Sequence, residues 1–336
     1  MNRLQLLLQL VYKLKGELQN NICLRRRNVL KNKDGFIYEL KKNKVLFLMV
    51  LPAVLVALMF SYLPMAGIVL AFKNYRFDMG VFGSPWAGFN NFSYFFNSGT
   101  GFLVTKNTIL YNIFNLVTSQ VLAIIVAIVI TELKGKYFKK ISQSIIFLPY
   151  FISWIIVGAF VYNIFNFEAG TLNTILKSFN MDPINMYDKP TAWIFVIAFF
   201  NSWKWVGYNS VIYIAAITSI DAECYEAADI DGANIFQKIK NITIPSITPT
   251  IIIILLLNVG RILRGDFQMF YQIVGNNGQL FNATDVIDTF VFRSLINSGD
   301  VGMTAAATFY QSILCFVIII VVNALVKRSN EEYALF

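Results

Sequence analysis

Six apolar blocks, each near 20 residues long, constrain this chain more than any other feature. They lie near 45–70, 107–131, 142–163, 191–217, 246–263 and 301–326. A helix needs about 20 apolar residues to cross roughly 30 Å of hydrocarbon, so each block is long enough to span a bilayer. Composition agrees. Of 336 residues, 57% are hydrophobic and 14% charged, against about 25% charged in an average soluble domain. The expected fold is all-α: a polytopic membrane protein with six transmembrane helices. Pro52, Pro64, Pro149 and Pro249 fall within the blocks, where neighbouring helices relieve the kinks that proline introduces.

Charge placement sets the orientation, because Lys and Arg accumulate on the cytosolic side. With the N-terminus inside, segments 1–44, 132–141, 218–245 and 327–336 hold 19 Lys and Arg, and the outer loops with Arg261 hold 8. An even number of spans puts both termini in the cytosol. The chain then divides into a basic N-terminal segment (1–44), a six-helix domain (45–326) and a short C-terminal tail (327–336). In the first segment Leu4, Leu7, Leu8, Val11, Leu14 and Leu18 recur at helical spacing. That pattern suits a basic amphipathic helix on the membrane surface and equally a solvated tail. The first apolar block begins too deep in the chain for a cleavable signal peptide.

Several chemistries are excluded. There is no histidine, which removes the commonest general base and metal ligand. Cys23, Cys224 and Cys315 form neither a disulfide framework nor a metal-ligand spacing. No Gly-rich phosphate loop ending in Lys-Ser or Lys-Thr is present. The expectation is a chain that is not an enzyme and needs no metal or cofactor. Its basic excess is a matter of membrane topology, and no nucleic-acid partner is expected.

One inner segment runs against the charge rule. Residues 218–245 carry Asp221, Glu223, Glu226, Asp229 and Asp231 against Lys238 and Lys240. An acidic loop beside an anionic leaflet does not lie on lipid. The pattern predicts two short helices, roughly 221–229 and 233–241, joined at Gly232, with Pro245 closing the segment before the fifth block. Such a pair either docks a partner protein or merely connects two spans.

The run Glu226-Ala227-Ala228-Asp229-Ile230-Asp231-Gly232-Ala233, followed by Phe236, Ile239 and Pro245, closely resembles the EAA loop of ABC importer permeases. Asp231-Gly232-Ala233 is similar to the carbohydrate-uptake branch, as are Trp203, Gly207, Tyr213 and Ala215-Ala216 upstream. The outer stretch Ala71-Phe72-Lys73 through Gly83-Ser84-Pro85-Trp86-Ala87-Gly88-Phe89-Asn90-Asn91-Phe92 resembles the sub-branch that imports oligosaccharides and polysaccharide fragments. The resemblance covers about 45–336. It implies the type I ABC importer permease fold in a bacterial cytoplasmic (inner) membrane. It also implies a heterodimer with a second, related permease, two ATPase subunits that hydrolyse the ATP, and a lipid-anchored or periplasmic sugar-binding protein. By match to the motif, Glu226, Ala227, Ala228, Asp231, Gly232 and Ala233 couple to the ATPase. Ile244 stands where the pattern has leucine.

The fourth block contains Asn201-Ser202-Trp203-Lys204-Trp205-Val206-Gly207-Tyr208-Asn209. Asn201, Lys204, Trp205 and Tyr208 fall on one helix face by spacing. A lysine at bilayer depth costs about 2.5–3.5 kcal/mol on insertion scales, so it faces a bundle interior or a watery cavity. Amide, aromatic and cationic groups together suit a sugar; the other reading has Lys204 paired within the bundle. At the end of the fifth block Asn258, Arg261 and Arg264 are spaced by three. They either line the outer path, where they favour an acidic sugar, or snorkel to the interface. The aromatic loop 71–106 reads chiefly as interfacial belt and loop packing.

Overall fold

The computed structural model describes residues 39–329 apart from Lys41. The proposed amphipathic helix, most of the basic segment 1–44, Cys23 and all but the first residues of the tail lie outside the described residues. The described chain is helical, and its only strand-like pairing is a single bridge between Lys73 and Trp86. It divides into two units, one ending at Ala66 and one beginning at Gly67.

In the first unit, helix α1 (Lys44–Ala57) passes into a wide turn at Leu58–Tyr62. Pro64 follows and lacks the N–H that Phe60 would otherwise receive four residues back. A tighter helix, Leu63–Phe72, starts here and belongs to the second unit from Gly67 on.

The second unit holds the remaining α-helices of eight residues or more. They are α2 (Asn90–Asn97), α3 (Thr100–Glu132), α4 (Lys136–Phe147), α5 (Trp154–Phe165), α6 (Thr171–Ser178), α7 (Ala192–Thr218) and α8 (Ala222–Ile230). Then come α9 (Ile235–Val259), α10 (Phe267–Val274), α11 (Ile287–Ser298) and α12 (Val301–Ser329). Across the described residues, four continuous helices are long and apolar enough to cross a membrane, or five if the bent pair α4–α5 counts as one. Helix α7 has the length, 27 residues. The polar run Asn201–Ser210 dilutes its apolarity.

Two features follow from proline, the first a kink of the kind the sequence leads one to expect and the second a departure from it. The third block is not one straight span: the segments Lys136–Phe151 and Trp154–Phe165 meet at 90°. Pro149 sits in the tight turn Leu148–Phe151 at the corner, where it cannot donate to Ile145. The second helix of the acidic loop is likewise not separate. It starts at Ile235 and runs without a break to Val259. Pro245 does not close it. A wide turn at Ile239–Thr243 immediately precedes the proline and makes room for its ring, as such bulges do.

The largest of three buried clusters forms where α3, α5, α7 and α10 meet: Tyr111, Trp154, Trp193, Ile197, Phe200, Met269 and Phe270 are all buried there. The aromatic loop is packed in part, with Phe95 buried and Phe77, Phe82, Trp86, Phe89 and Tyr94 exposed. Phe72, Phe89 and Phe92 meet edge to face or tilted, and Phe72 and Phe92 also meet Phe309 of α12. The Asn91 amide donates to the carbonyls of Ala71 and Lys73 at 3.0 and 2.9 Å.

Candidate functional site

Three helices bring polar side chains around one cavity of about 860 Å³, within the usual range of ligand sites. From α7 come Asn201, Trp205, Tyr208 and Asn209. From α3 come Asn112, Asn115, Ser119 and Gln120. The end of α9 and the turn beyond it supply Asn258, Arg261, Arg264 and Asp266. Of the six path residues taken from the sequence, five meet here: Asn201, Trp205, Tyr208, Asn258 and Arg261. Lys204 is not among the lining residues.

Lys204 is 7% exposed and turns toward the corner between α4 and α5. Its ammonium donates to the Tyr150 carbonyl at 2.9 Å and to the Ile152 carbonyl. The 90° bend leaves those two oxygens without helical donors. The same ammonium lies 5.2 Å from the Trp154 ring centroid. One turn further along α7, Gly207 admits the backbone of the corner: a Cβ there would stand 2.1 Å from the Ile146 carbonyl oxygen. Thus α7 clasps the broken helix at two points. The clasp places Tyr150 on the cavity wall, where its ring stacks on Tyr208 at 4.6 Å and 17° and meets Trp205 edge-on at 5.4 Å. Packing the faces and edges of aromatic rings in this way is favourable beyond the area buried.

The arginine spacing has a different origin from the one the sequence suggests. Helix α9 ends at Val259, so only Asn258 is on it. Two consecutive three-residue turns follow: Arg261 N–H donates to Asn258 C=O at 2.9 Å and Arg264 N–H to Arg261 C=O at 2.8 Å. Side chains from three other elements hold this turn. The Asn112 amide donates to Ile262 C=O at 2.8 Å and Arg264 C=O at 3.2 Å. The Gln311 amide donates to Leu263 C=O at 2.6 Å. Asp288 accepts from Gly265 N–H at 2.7 Å. Asp266 then caps α10 by accepting from Met269 N–H and binds the Trp154 indole N–H at 2.9 Å.

The sequence reading missed Tyr150, Asp266 and the α3 contribution. For α3 a signal was present: Asn112, Asn115 and Ser119 stand at helical spacing within an apolar block.

The acidic loop forms an exposed elbow. Asp221 caps α8 by accepting from Glu223 N–H at 3.1 Å. The helix ends at Ile230, and Gly232 turns the chain at φ +73°, a conformation that costs side-chain-bearing residues energy. Asn234 and Gln237 then cap the start of α9 reciprocally. Glu226, Ala227, Asp231 and Gly232 are exposed, while Ala228 and Ala233 are half-buried. Ile230 is 88% and Phe236 78% exposed. Two contacts fix the elbow to α9: an ion pair between Lys238 and Asp229, and a hydrogen bond between the Tyr225 and Thr243 hydroxyls at 2.9 Å.

A helical bundle with a polar cavity, and with an exposed elbow on the end of a helix long and apolar enough to cross a membrane, fits a membrane permease that works with partner proteins. The chain belongs to the family described as "Binding-protein-dependent transport system inner membrane component", which it matches over residues 120–331. It is accordingly a multi-pass inner-membrane component of an ABC transporter, with no catalytic step of its own. It is 31% identical to the "Polygalacturonan/rhamnogalacturonan transport system permease protein YteP" of Bacillus subtilis (strain 168), over 88% of this chain and 92% of that protein. The crystal structure of a bacterial ABC transporter "involved in the import of the acidic polysaccharide alginate" contains a chain of the same fold. Its TM-score is 0.79 at 30% identity, covering 87% of this chain and 98% of that one. A second structure of a bacterial alginate ABC transporter includes an "alginate pentasaccharide-bound periplasmic protein", and its TM-score to this chain is 0.78 at 30% identity, covering 87% and 97%.

Proposed function

We propose that this chain forms half of the translocation path of an oligosaccharide importer, with the elbow at 221–238 as its contact to an ATPase. The single observation that carries the coupling is the continuity of α9. The elbow is bonded to one end of a 25-residue helix, about 38 Å long at 1.5 Å per residue, and the arginine turn follows the other end. In this reading a push on the elbow is carried along α9 to the cavity wall. Ile230 and Phe236 offer the apolar anchors that a groove on a partner buries. Glu226 offers an acceptor for charge-assisted hydrogen bonds.

In this reading six segments cross the membrane: α1 with its extension, α3, the bent pair α4–α5, α7, α9 and α12. Helix α7 crosses although its polar run makes it less apolar, because that run faces the cavity and the corner instead of lipid. Both termini are then cytosolic. The partners are a second permease completing the path, two ATPase subunits and a sugar-binding protein on the outer side. The carbohydrate names of the relatives support a sugar cargo, and so do the aromatic and carboxamide groups of the cavity.

The test replaces Glu226 with Ala and Gly232 with Val together. Neither change touches the spans, so the variant complex should insert and assemble. Uptake of the cargo and cargo-stimulated ATP hydrolysis should both drop sharply. Normal uptake with both changes would reduce the elbow to a connector.

A further inference from the structure

The arginine turn carries two guanidinium groups; Arg264 lies near the Asp288 carboxylate, and its charge favours the ionised form of that group. Neither Arg261 nor Arg264 forms an ion pair among the described residues, whose ion pairs are Arg76–Asp78, Lys238–Asp229 and Arg293–Asp285. The one carboxylate lining the same cavity, Asp266, has both oxygens engaged, by the Trp154 indole and by Met269 N–H. The other carboxylate at the turn, Asp288, accepts from Gly265 N–H and from the Gln311 amide at 3.0 Å. The turn's own carbonyls at 262, 263 and 264 are all taken by Asn112 and Gln311. The hydrogen bonds that hold the turn are thus made without either guanidinium.

Other lining groups are unspent. The side chains of Asn115, Asn201 and Asn209 line the cavity and make no hydrogen bond among the described residues. Asn115 is 7% exposed, and its amide oxygen is buried without a partner. Beside them stands the Tyr150–Tyr208–Trp205 wall. A ligand matching this set has apolar C–H faces for the rings, hydroxyls for the amides and a carboxylate for the guanidiniums, which bind carboxylates in bidentate fashion.

We infer that Arg261 and Arg264 form a carboxylate-reading subsite, so that the cavity selects oligosaccharides containing uronic acid over neutral ones. This rests on the reading of the cavity as a sugar path. The arginines are specificity determinants here: binding at the cavity, not the energy supply, is what they change.

The experiment measures uptake by the complete complex, with its binding protein, of two probes: trigalacturonate and its fully methyl-esterified form, which has the same skeleton and no charge. Arg261→Gln with Arg264→Gln should lower trigalacturonate uptake by roughly 10- to 100-fold, the range for losing charge-assisted hydrogen bonds, and change uptake of the ester by less than about threefold. Each variant is compared with wild type on the same probe, so any preference of the binding protein cancels. Lys177→Gln removes an exposed charge outside the cavity and should change neither probe. Arg261→Lys with Arg264→Lys keeps the charge and guards against a folding defect; it should retain more trigalacturonate uptake than the glutamine pair. Equal losses on both probes, or no loss on either, would overturn the subsite. A wild-type complex that moves neither probe, while importing a neutral oligosaccharide, would also overturn the subsite; one that imports no oligosaccharide of any kind would instead overturn the sugar-path reading beneath it.

Discussion

The stretch Asn201–Asn209 and the loop at 218–245 are both polar interruptions of an apolar chain, and each depends on a glycine for an opposite reason. Gly207 is required by its neighbours: a Cβ would meet the Ile146 carbonyl at 2.1 Å, with the Phe147 Cα also inside 3 Å. Gly232 has open space where a Cβ would stand, with nothing within 4 Å, and is required by its own backbone, at φ +73°. The first polar region is shaped from outside, by the broken helix it clasps. The second is shaped locally, by caps and a turn written in consecutive residues. A region of the first kind loses its structure when a partner element is disturbed. A region of the second kind keeps its structure and loses only what it transmits.

That contrast is broken most directly at Gly207. Gly207→Val forces a side chain into a backbone that cannot yield, so the expected cost is about 3 kcal/mol or more, at or above the usual limit for overpacking. The assembled complex recovered after detergent extraction should fall to a small fraction of wild type. Wild-type recovery would show that α7 does not need its close approach to the corner.

Lys204→Met is the next largest. Methionine fills similar space but leaves the Tyr150 and Ile152 carbonyls without their donor, and an unmade buried hydrogen bond costs about 1–3 kcal/mol. The apparent Tm of the complex should drop, and uptake should fall with it because Tyr150 leaves the cavity wall. An unchanged Tm together with lost uptake would mean that the ammonium serves the cargo and not the corner.

At the elbow the effects are smaller on stability and larger on coupling. Gly232→Ala costs about 1–2 kcal/mol of backbone strain with no clash. Tyr225→Phe removes one hydrogen bond to Thr243, worth about 1 kcal/mol. Both complexes should assemble normally and hydrolyse more ATP per sugar imported. Measuring uptake and hydrolysis on the same vesicles checks this; an unchanged ratio in both variants would detach the elbow from the stroke.

How much of this was legible in the sequence divides along the same line. The elbow was readable because caps, glycine and charge pattern act over a few residues, and Gly232 does sit at the bend. Its second helix was misjudged at its far end, because a wide turn lets Pro245 lie inside a continuous helix. The polar face of α7 was readable as a face, but helical spacing places Lys204 beside Trp205 and Tyr208 without naming a partner. That partner is a pair of carbonyls exposed by a corner at Pro149, more than 50 residues away in the chain. The spacing of Arg261 and Arg264 looked helical and is in fact two tight turns, which share the same period of three.

The smallest expected effect tests the mount of the arginine turn. Asp288 on α11 accepts from Gly265 N–H and the Gln311 amide. Burial raises its pKa above the ordinary aspartate value, although those hydrogen bonds and the nearby Arg264 pull it down. A folded value above the unfolded one means that Asp288 contributes stability that is fully present below the unfolded pKa and is lost as pH rises through the folded pKa. Asp288→Asn keeps an oxygen for Gly265 and removes the titration. At neutral pH its apparent Tm should therefore lie within about 2 °C of wild type, equal or slightly higher. The two should separate as pH falls from neutral through the folded pKa toward the ordinary aspartate value, with wild type gaining stability relative to the variant. Thermal unfolding of both complexes across that interval reads the difference directly. Parallel curves would show that the carboxylate stays charged throughout and that the turn is held as firmly by an ion as by an amide.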